Sequence, residues 1–327
     1  MTTTTSSGQS TSSRIVGFLT APAVSPLIAL IIAVIIFATQ SDRFLTGRNF
    51  SLIVQQVMVV GTLAIGQTLI ILTAGIDLSN GLISALGGVI MTKIAVANGV
   101  NPILAILVGI LVCTLFGALN GLLITRLRLP PFIVTLGTLN IAFALVRIYS
   151  TQTITGLPKV QTALGNTFIV SGTAISYGSI LVFILYLLVW YMLQNTAFGR
   201  HIYAVGDDPE AARLTGIPVN RVLLAVYTLA GATYGIAALM LIARTGVGDP
   251  QAGQDANLES ITAVVLGGTS LFGGRGNIMG TLLGVLIVGV FRNGLQLTGV
   301  PSIYQVLVTG ILVILAVAVD QVSRRSS

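Results

Sequence analysis

Long stretches of this chain carry no Asp, Glu, Lys or Arg, and their lengths decide the fold class. They run 15–41, 49–76, 94–125, 129–146, 160–199, 222–243, 260–274, 276–291 and 293–319. A helix needs roughly 20 residues to cross a hydrocarbon core of about 30 Å. Most of these stretches suffice for one crossing, and the longest contain a turn as well. The two short ones, 260–274 and 276–291, point to half-spans, tilted spans or a crossing extended by uncharged flanks. Backbone N–H and C=O groups cannot stay unpaired in lipid, so the crossings are helices or a closed barrel. Continuous apolar runs such as residues 27–38 lack the alternation of a barrel strand. The class is an all-α polytopic integral membrane protein. Composition agrees: charged residues make up 8% of the chain, against about 25% in a soluble domain. Too few charges remain to clothe a water-facing surface.

About ten crossings are expected at one per roughly 20 apolar residues, centred near residues 30, 62, 88, 114, 140, 185, 232, 265, 286 and 311. An even number puts both termini on one side. With the ends inside, Arg14, Arg126, Arg128, Arg200, Arg213, Arg221, Arg275, Arg324 and Arg325 are cytoplasmic, and six basic residues fall outside. The excess of inside Lys/Arg assigns both termini to the cytoplasm. Residues 1–20 are expected to be a disordered polar tail, 21–320 the membrane domain and 321–327 a cytoplasmic tail. The first apolar run reads as a retained anchor and not as a signal peptide, since only Arg14 precedes it and no small-residue cleavage site is evident.

The net charge of +7 is carried by single basic residues scattered at helix ends, which excludes a nucleic-acid surface. One cysteine, Cys113, excludes an intrachain disulfide framework and a zinc cluster. The single histidine, His201, has no metal-ligand or catalytic spacing around it, and no GxxxxGK[ST] loop occurs. The chain therefore has no catalytic residues and no ATP site of that type. Glycines recur at small-residue spacing inside the apolar spans, with GxxxG pairs at Gly117–Gly121, Gly231–Gly235 and Gly280–Gly284. They predict close helix packing.

Three segments stand out. In TAGIDLSNG (73–81), Gly75 and Gly81 allow a helix break, and Asp77 or Ser79 is placed to cap the helix that follows. The break is either a membrane-edge turn or re-entrant. In GDDPEAARLTGIP (206–218), Asp208 is a good N-cap, Pro209 fits the first helical position, Gly216 suits the left-handed C-terminal position and Pro218 blocks continuation. A helix this short cannot span. It is expected to lie on the cytoplasmic face, within a connecting segment 195–221, as a docking helix. In AVVLGGTSLFGGRGN (263–277), paired glycines predict a sharp turn between two short membrane helices.

At these segments the chain resembles the permease subunits of the ribose, xylose and fructose class of bacterial ABC importers. The resemblance rests on LTAGIDLSNG (72–81), FGRHIYAVGDDPEAARLTGIPV (198–219), TAVVLGGTSLFGGRGNIMGTLLG (262–284) and GLQLTGVPSIYQ (294–305), in order along nearly the whole chain. It implies a permease fold of about ten helices working in pairs in the inner membrane. It further implies an extracytoplasmic sugar-binding protein and ABC ATPase subunits that hold the ATP and Mg, this chain having no cofactor. Residues 207–217 match the family's coupling helix, which makes Asp208, Glu210, Ala211, Arg213, Leu214 and Gly216 the candidate docking residues. Asn80 departs from the small or valine-like residue expected in the ribose permeases, which weighs against ribose itself.

Candidates for the translocation path or its gate are the polar residues within or between apolar spans: Gln67, Asp77, Ser79, Asn80, Asn120, Asn140, Asn293 and Gln296. The structural alternative for each is an interhelical hydrogen bond. The rival function is a secondary transporter driven by an ion gradient, for which Asp77 and Arg292 are the only intramembrane ionisable groups noted.

Overall fold

The computed structural model describes residues 24–170 and 173–325, so the expected tail at residues 1–20 lies outside the described residues. The elements in chain order are α1 (Val24–Gln40), α2 (Gly47–Leu72), α3 (Asn80–Val96), α4 (Pro102–Arg126), α5 (Pro131–Tyr149), the single turn α6 (Lys159–Thr162), β1 (Thr167–Val170), β2 (Thr173–Ser176), α7 (Tyr177–Asn195), α8 (Ala197–Asp207), α9 (Pro209–Leu214), α10 (Val219–Thr245), α11 (Ala256–Leu266), α12 (Ile278–Leu297) and α13 (Ser302–Arg325). Each centre anticipated from the sequence falls on a helix. Among the described residues, six helices are long and apolar enough to cross a membrane: α2, α4, α5, α7, α10 and α12. The remaining apolar helical stretches, Pro26–Gln40, Asn80–Val96, Ala256–Leu266 and Ser302–Leu315, are shorter. Residues 321–325 continue α13.

Helix boundaries follow local chemistry. Thr46, Asn101, Ser176 and Asn277 each accept a backbone N–H from the first turn of α2, α4, α7 and α12, which satisfies donors that the helix itself leaves open. Segment 149–175 holds α6 and also the start of a strand pair. β1 and β2 form an antiparallel hairpin with Thr167 opposite Ser176, so the fold is not purely helical. The hairpin is tied to α2 by the Ser51 hydroxyl, which donates to the Ala174 carbonyl.

The long helix α10 occupies the centre, against α2, α3 and α4. Two of the predicted GxxxG pairs meet each other here. A Cβ at Gly117 would lie 2.3 Å from the Tyr227 carbonyl oxygen, and one at Gly231 would lie 2.5 Å from that of Cys113. Backbone touches backbone, the contact that small residues permit where lipid removes any hydrophobic drive between helices. The third pair does the same elsewhere: Gly280 and Gly284 of α12 close on the carbonyls of Gly267 and Ala263 at the end of α11.

The outer face inverts soluble-protein logic. On α4, Leu104, Leu107, Leu111, Leu115, Leu119 and Leu122 are all exposed, at the three- and four-residue spacing of one helix face. A continuous apolar stripe of this kind is a liability in water and is matched to lipid.

Because the α4–α10 contact has no room for a side chain, Gly231→Val is expected to destabilise the protein in detergent by about 1–3 kcal/mol or more. Gly137→Ala, where an added Cβ meets nothing within 4 Å, should stay within about 0.5 kcal/mol of the parent. Fluorescence-detected gel filtration after a temperature series measures both.

Candidate functional site

Two regions gather most of the sequence-predicted residues: a buried polar cluster where α2 gives way to α3, and the short helix α9.

At the break, α2 ends with Ala74 N–H donating to the Ile71 carbonyl and Gly75 N–H to that of Ile70. This is the double bond pattern of a Schellman terminus. The left-handed residue is Ala74, at φ +60°, with Gly75 following it. The chain then runs extended to Ser79. Its exposed backbone carbonyls are taken up by neighbours: Thr135 of α5 donates to Ile76 O at 3.0 Å and Asn257 of α11 to Leu78 O at 3.1 Å. Unwound backbone is tolerated inside a membrane only with such internal partners.

Asp77 is fully buried. One carboxylate oxygen accepts from Ser79 N–H at 2.7 Å and Ser79 hydroxyl at 2.5 Å; the other accepts from Tyr234 hydroxyl at 3.0 Å. The anticipated cap is therefore corrected. Asp77 accepts the N–H of Ser79, the N-cap residue of α3, and not one from the first turn, and Ser79 makes no side-chain cap bond. Tyr234 is about 22 Å along α10 from its start and about 17 Å from its end at 1.5 Å per residue, so the break lies beside the middle of α10.

Around Asp77, Asn120 of α4 donates to Ser79 Oγ at 3.2 Å, and Asn80 donates to Gln67 Oε1 at 3.1 Å and Ser260 Oγ at 2.8 Å. Gln67, Asp77, Ser79, Asn80 and Asn120 thus gather in two adjoining hydrogen-bonded groups, Asp77–Ser79–Asn120–Tyr234 and Asn80–Gln67–Ser260, which between them draw on α2, α3, α4, α10 and α11. Asn80, the departure from the ribose pattern, is held by two polar partners that a valine would leave unpaired. The network keeps spare capacity: Gln67 Nε2, Asn80 Oδ1, Asn120 Oδ1 and Tyr227 hydroxyl are buried without a hydrogen-bond partner among the described residues. Other path candidates lie apart from it. Asn293 pairs reciprocally with Asn49 at 2.9 Å, tying α12 to α2. Asn140 and Gln296 are exposed, and Asn140 donates to its own helix at Leu136 O.

The second region forms as its punctuation anticipates. Asp208 accepts from Glu210 N–H at 2.9 Å and Ala211 N–H at 3.0 Å. Gly216, at φ +88°, donates to Arg213 O while Ile217 donates to Ala212 O, closing the helix by a second Schellman pattern. Ala212 faces inward; Glu210, Ala211, Arg213 and Leu214 face out, Leu214 being 88% exposed. Glu210 and Arg213 sit 3.7 Å apart on that surface.

What sequence reasoning missed is the seat beneath. In α8, Gly206 lies so close to the end of α2 that a Cβ there would be 1.8 Å from the Leu72 carbonyl, and Gly274 of the 267–277 turn donates to that same carbonyl at 3.0 Å. Tyr203 of α8 donates to Gly276 O at 3.0 Å. The α8–α9 unit therefore rests directly on the end of the helix that leads into the Asp77 break. Also missed were Tyr234 and Ser260, which complete the network, and Glu259, which binds Arg292 at 2.7 Å. A tyrosine or serine inside an apolar span carries no signal in periodicity; Glu259 was legible as an acidic residue opening a short apolar helix.

A family model described as "Branched-chain amino acid transport system / permease component" matches residues 49–317, and the chain belongs to that permease family. It is 46% identical to a fructose import permease protein of Rhizobium meliloti over 93% of this chain and 86% of that one. Identity is 41% to a ribose import permease protein of Bacillus subtilis (91% and 92% covered) and 37% to a D-allose transport system permease protein of Escherichia coli (90% of each). No solved structure matches. The chain is a multi-pass protein of the inner membrane.

Tyr234→Phe is expected to cost about 1–3 kcal/mol through the lost bond to Asp77. Asp77→Ala should cost more, because it also strands Ser79. The double variant should cost less than the sum, which a double-mutant cycle of unfolding in detergent would show.

Proposed function

We propose that this chain is the membrane-spanning subunit of an ABC importer that moves a monosaccharide such as fructose, ribose or xylose across the inner membrane. It has ten crossings, counting the four shorter apolar helices, and both termini in the cytoplasm. ATP and Mg are held by separate ATPase subunits, an extracytoplasmic binding protein delivers the sugar, and two copies of the chain line the path. The sugar names of three relatives at 37–46% identity support the substrate class over the branched-chain amino acids of the family description.

The mechanism rests on one observation, the seating of α8–α9 against Leu72 and Gly274. ATPase subunits engage α9 through Asp208, Glu210, Ala211, Arg213, Leu214 and Gly216. Closure of the ATPase dimer pushes α9, and α8 passes the displacement to the end of α2 and to the glycine turn. The Asp77 break is the hinge that absorbs it, with Gln67, Ser79, Asn80 and Asn120 exchanging partners as the path switches sides. Asn140, Asn293 and Gln296 contribute polar groups farther along the path or at the copy–copy contact. Packed helices move as rigid bodies in such a switch.

The fully bonded Asp77 argues against the secondary-transporter alternative, since both its oxygens are already occupied. Uptake of radiolabelled sugars into energised cells, comparing the parent with a Glu210→Lys/Arg213→Glu double variant that still inserts, tests the proposal. Loss of uptake together with loss of ATPase co-purification is expected. Normal uptake with unaltered ATPase association would remove α9 from coupling, and uptake that survives loss of every ATPase but collapses with an ionophore would establish the alternative.

A further inference from the structure

α11, α12 and α13 do not close fully on one another. Between them lies a cavity of about 250 Å³, smaller than the roughly 300–1,000 Å³ of sites for drug-sized ligands. Its wall is mostly apolar, but Asp255, Glu259, Arg292, Ser302, Gln305 and Thr309 all contribute to it.

The chemistry of that wall is particular. Glu259 is largely enclosed, with 14% of its side chain exposed, and accepts from Arg292 Nη1 through Oε1. Among the described residues no further side-chain hydrogen bond engages the pair. Gln305 spends one amide N–H on Val300 O and keeps a second donor and its Oε1 acceptor, while Thr309 gives its hydroxyl proton to Gln305 O and keeps an acceptor oxygen. A carboxylate–guanidinium pair inside a membrane domain is costly, and as a structural tie it gains little over apolar packing. With Asp255 also on the wall and Arg244 close enough to act on both members of the pair, two acidic and two basic groups balance, which favours an uncharged ligand over an ion. Alternating donors and acceptors on an otherwise apolar wall match a small polyol, with hydroxyls on its edge and C–H groups on its faces. An acyl chain would gain nothing from them.

We propose that this cavity is a monosaccharide site inside each copy of the chain, in which Glu259 and Arg292 hydrogen-bond neighbouring hydroxyls. It rests on the importer function proposed above and adds a residence point to it. Glu259 is about one turn from the start of α11, and Arg292 about one and a half turns from the end of α12. On the proposed topology both lie near the extracytoplasmic side, where sugar enters.

The test is saturation-transfer NMR on the purified full-length chain in lipid nanodiscs, titrated with fructose, ribose, xylose and allose. At least one sugar should give a saturable signal. Glu259→Gln and Arg292→Gln should weaken it by about tenfold or more. Gly310→Phe, which fills the cavity from a position where an added Cβ meets no atom within 4 Å, should abolish it and does not depend on the ion pair for folding. The absence of a saturable signal from every sugar, or a signal unchanged by Glu259→Gln and Gly310→Phe, would overturn the site. So would co-purified phospholipid displaced by Gly310→Phe with no change in the sugar signal. Wild-type uptake in parallel separates the failures: uptake alongside any of those results sinks the cavity and spares the importer, whereas no ATP-dependent uptake of any sugar sinks the function and the site together.

Discussion

The contact of α4 with α10, backbone against backbone at Gly117 and Gly231, sets the rest of the architecture. Nothing in lipid drives two apolar helices together except packing and hydrogen bonding, so proximity must come from the removal of side chains. Having α4 this close brings Asn120 within reach of Ser79, and α10 in the centre brings Tyr234 to Asp77. The polar network exists because the glycines let its owners approach. A larger residue in the interface would separate hydroxyl, amide and carboxylate by more than a hydrogen bond can bridge.

A second chain of contacts reaches the break from α8. Leu72 ends α2, and its carbonyl is covered by Gly206 and bonded by Gly274. A movement of α8 cannot leave the end of α2 where it was, because there is no soft side chain between them to compress. Seven residues farther on stands Ser79, the first partner of Asp77. Stiff transmission into a pliant joint is what a switch between two packed arrangements requires, and the pliancy is visible in the buried amide and hydroxyl groups that hold no partner.

Much of this is legible in the amino-acid sequence alone. The charge-free runs locate the helices, the GxxxG pairs mark the tight contacts, and Asp208, Pro209 and Gly216 draw α9 to its caps. These are signals written within a few residues of one another. What the sequence could not show was encounter between distant positions: that the GxxxG of α4 faces that of α10, that Asn80 meets Ser260, or that Glu259 meets Arg292. The β1–β2 hairpin was hidden because its strands are four residues each, too short for alternation to register. The break falls where Gly75 allowed it, but nothing local marked Ala74 as its left-handed residue. Ser79 makes no side-chain cap bond; its hydroxyl donates to Asp77 and its oxygen accepts from Asn120.

α9 has one more property, independent of where it points. Both of its ends are closed by groups from its own neighbourhood, Asp208 at the start and Gly216 with Ile217 at the finish, so no outside molecule is needed to fold it. A segment that is already ordered surrenders little conformational entropy on contact. Engagement and release can then be rapid and repeated, with none of each cycle's energy diverted to refolding the surface that receives the stroke.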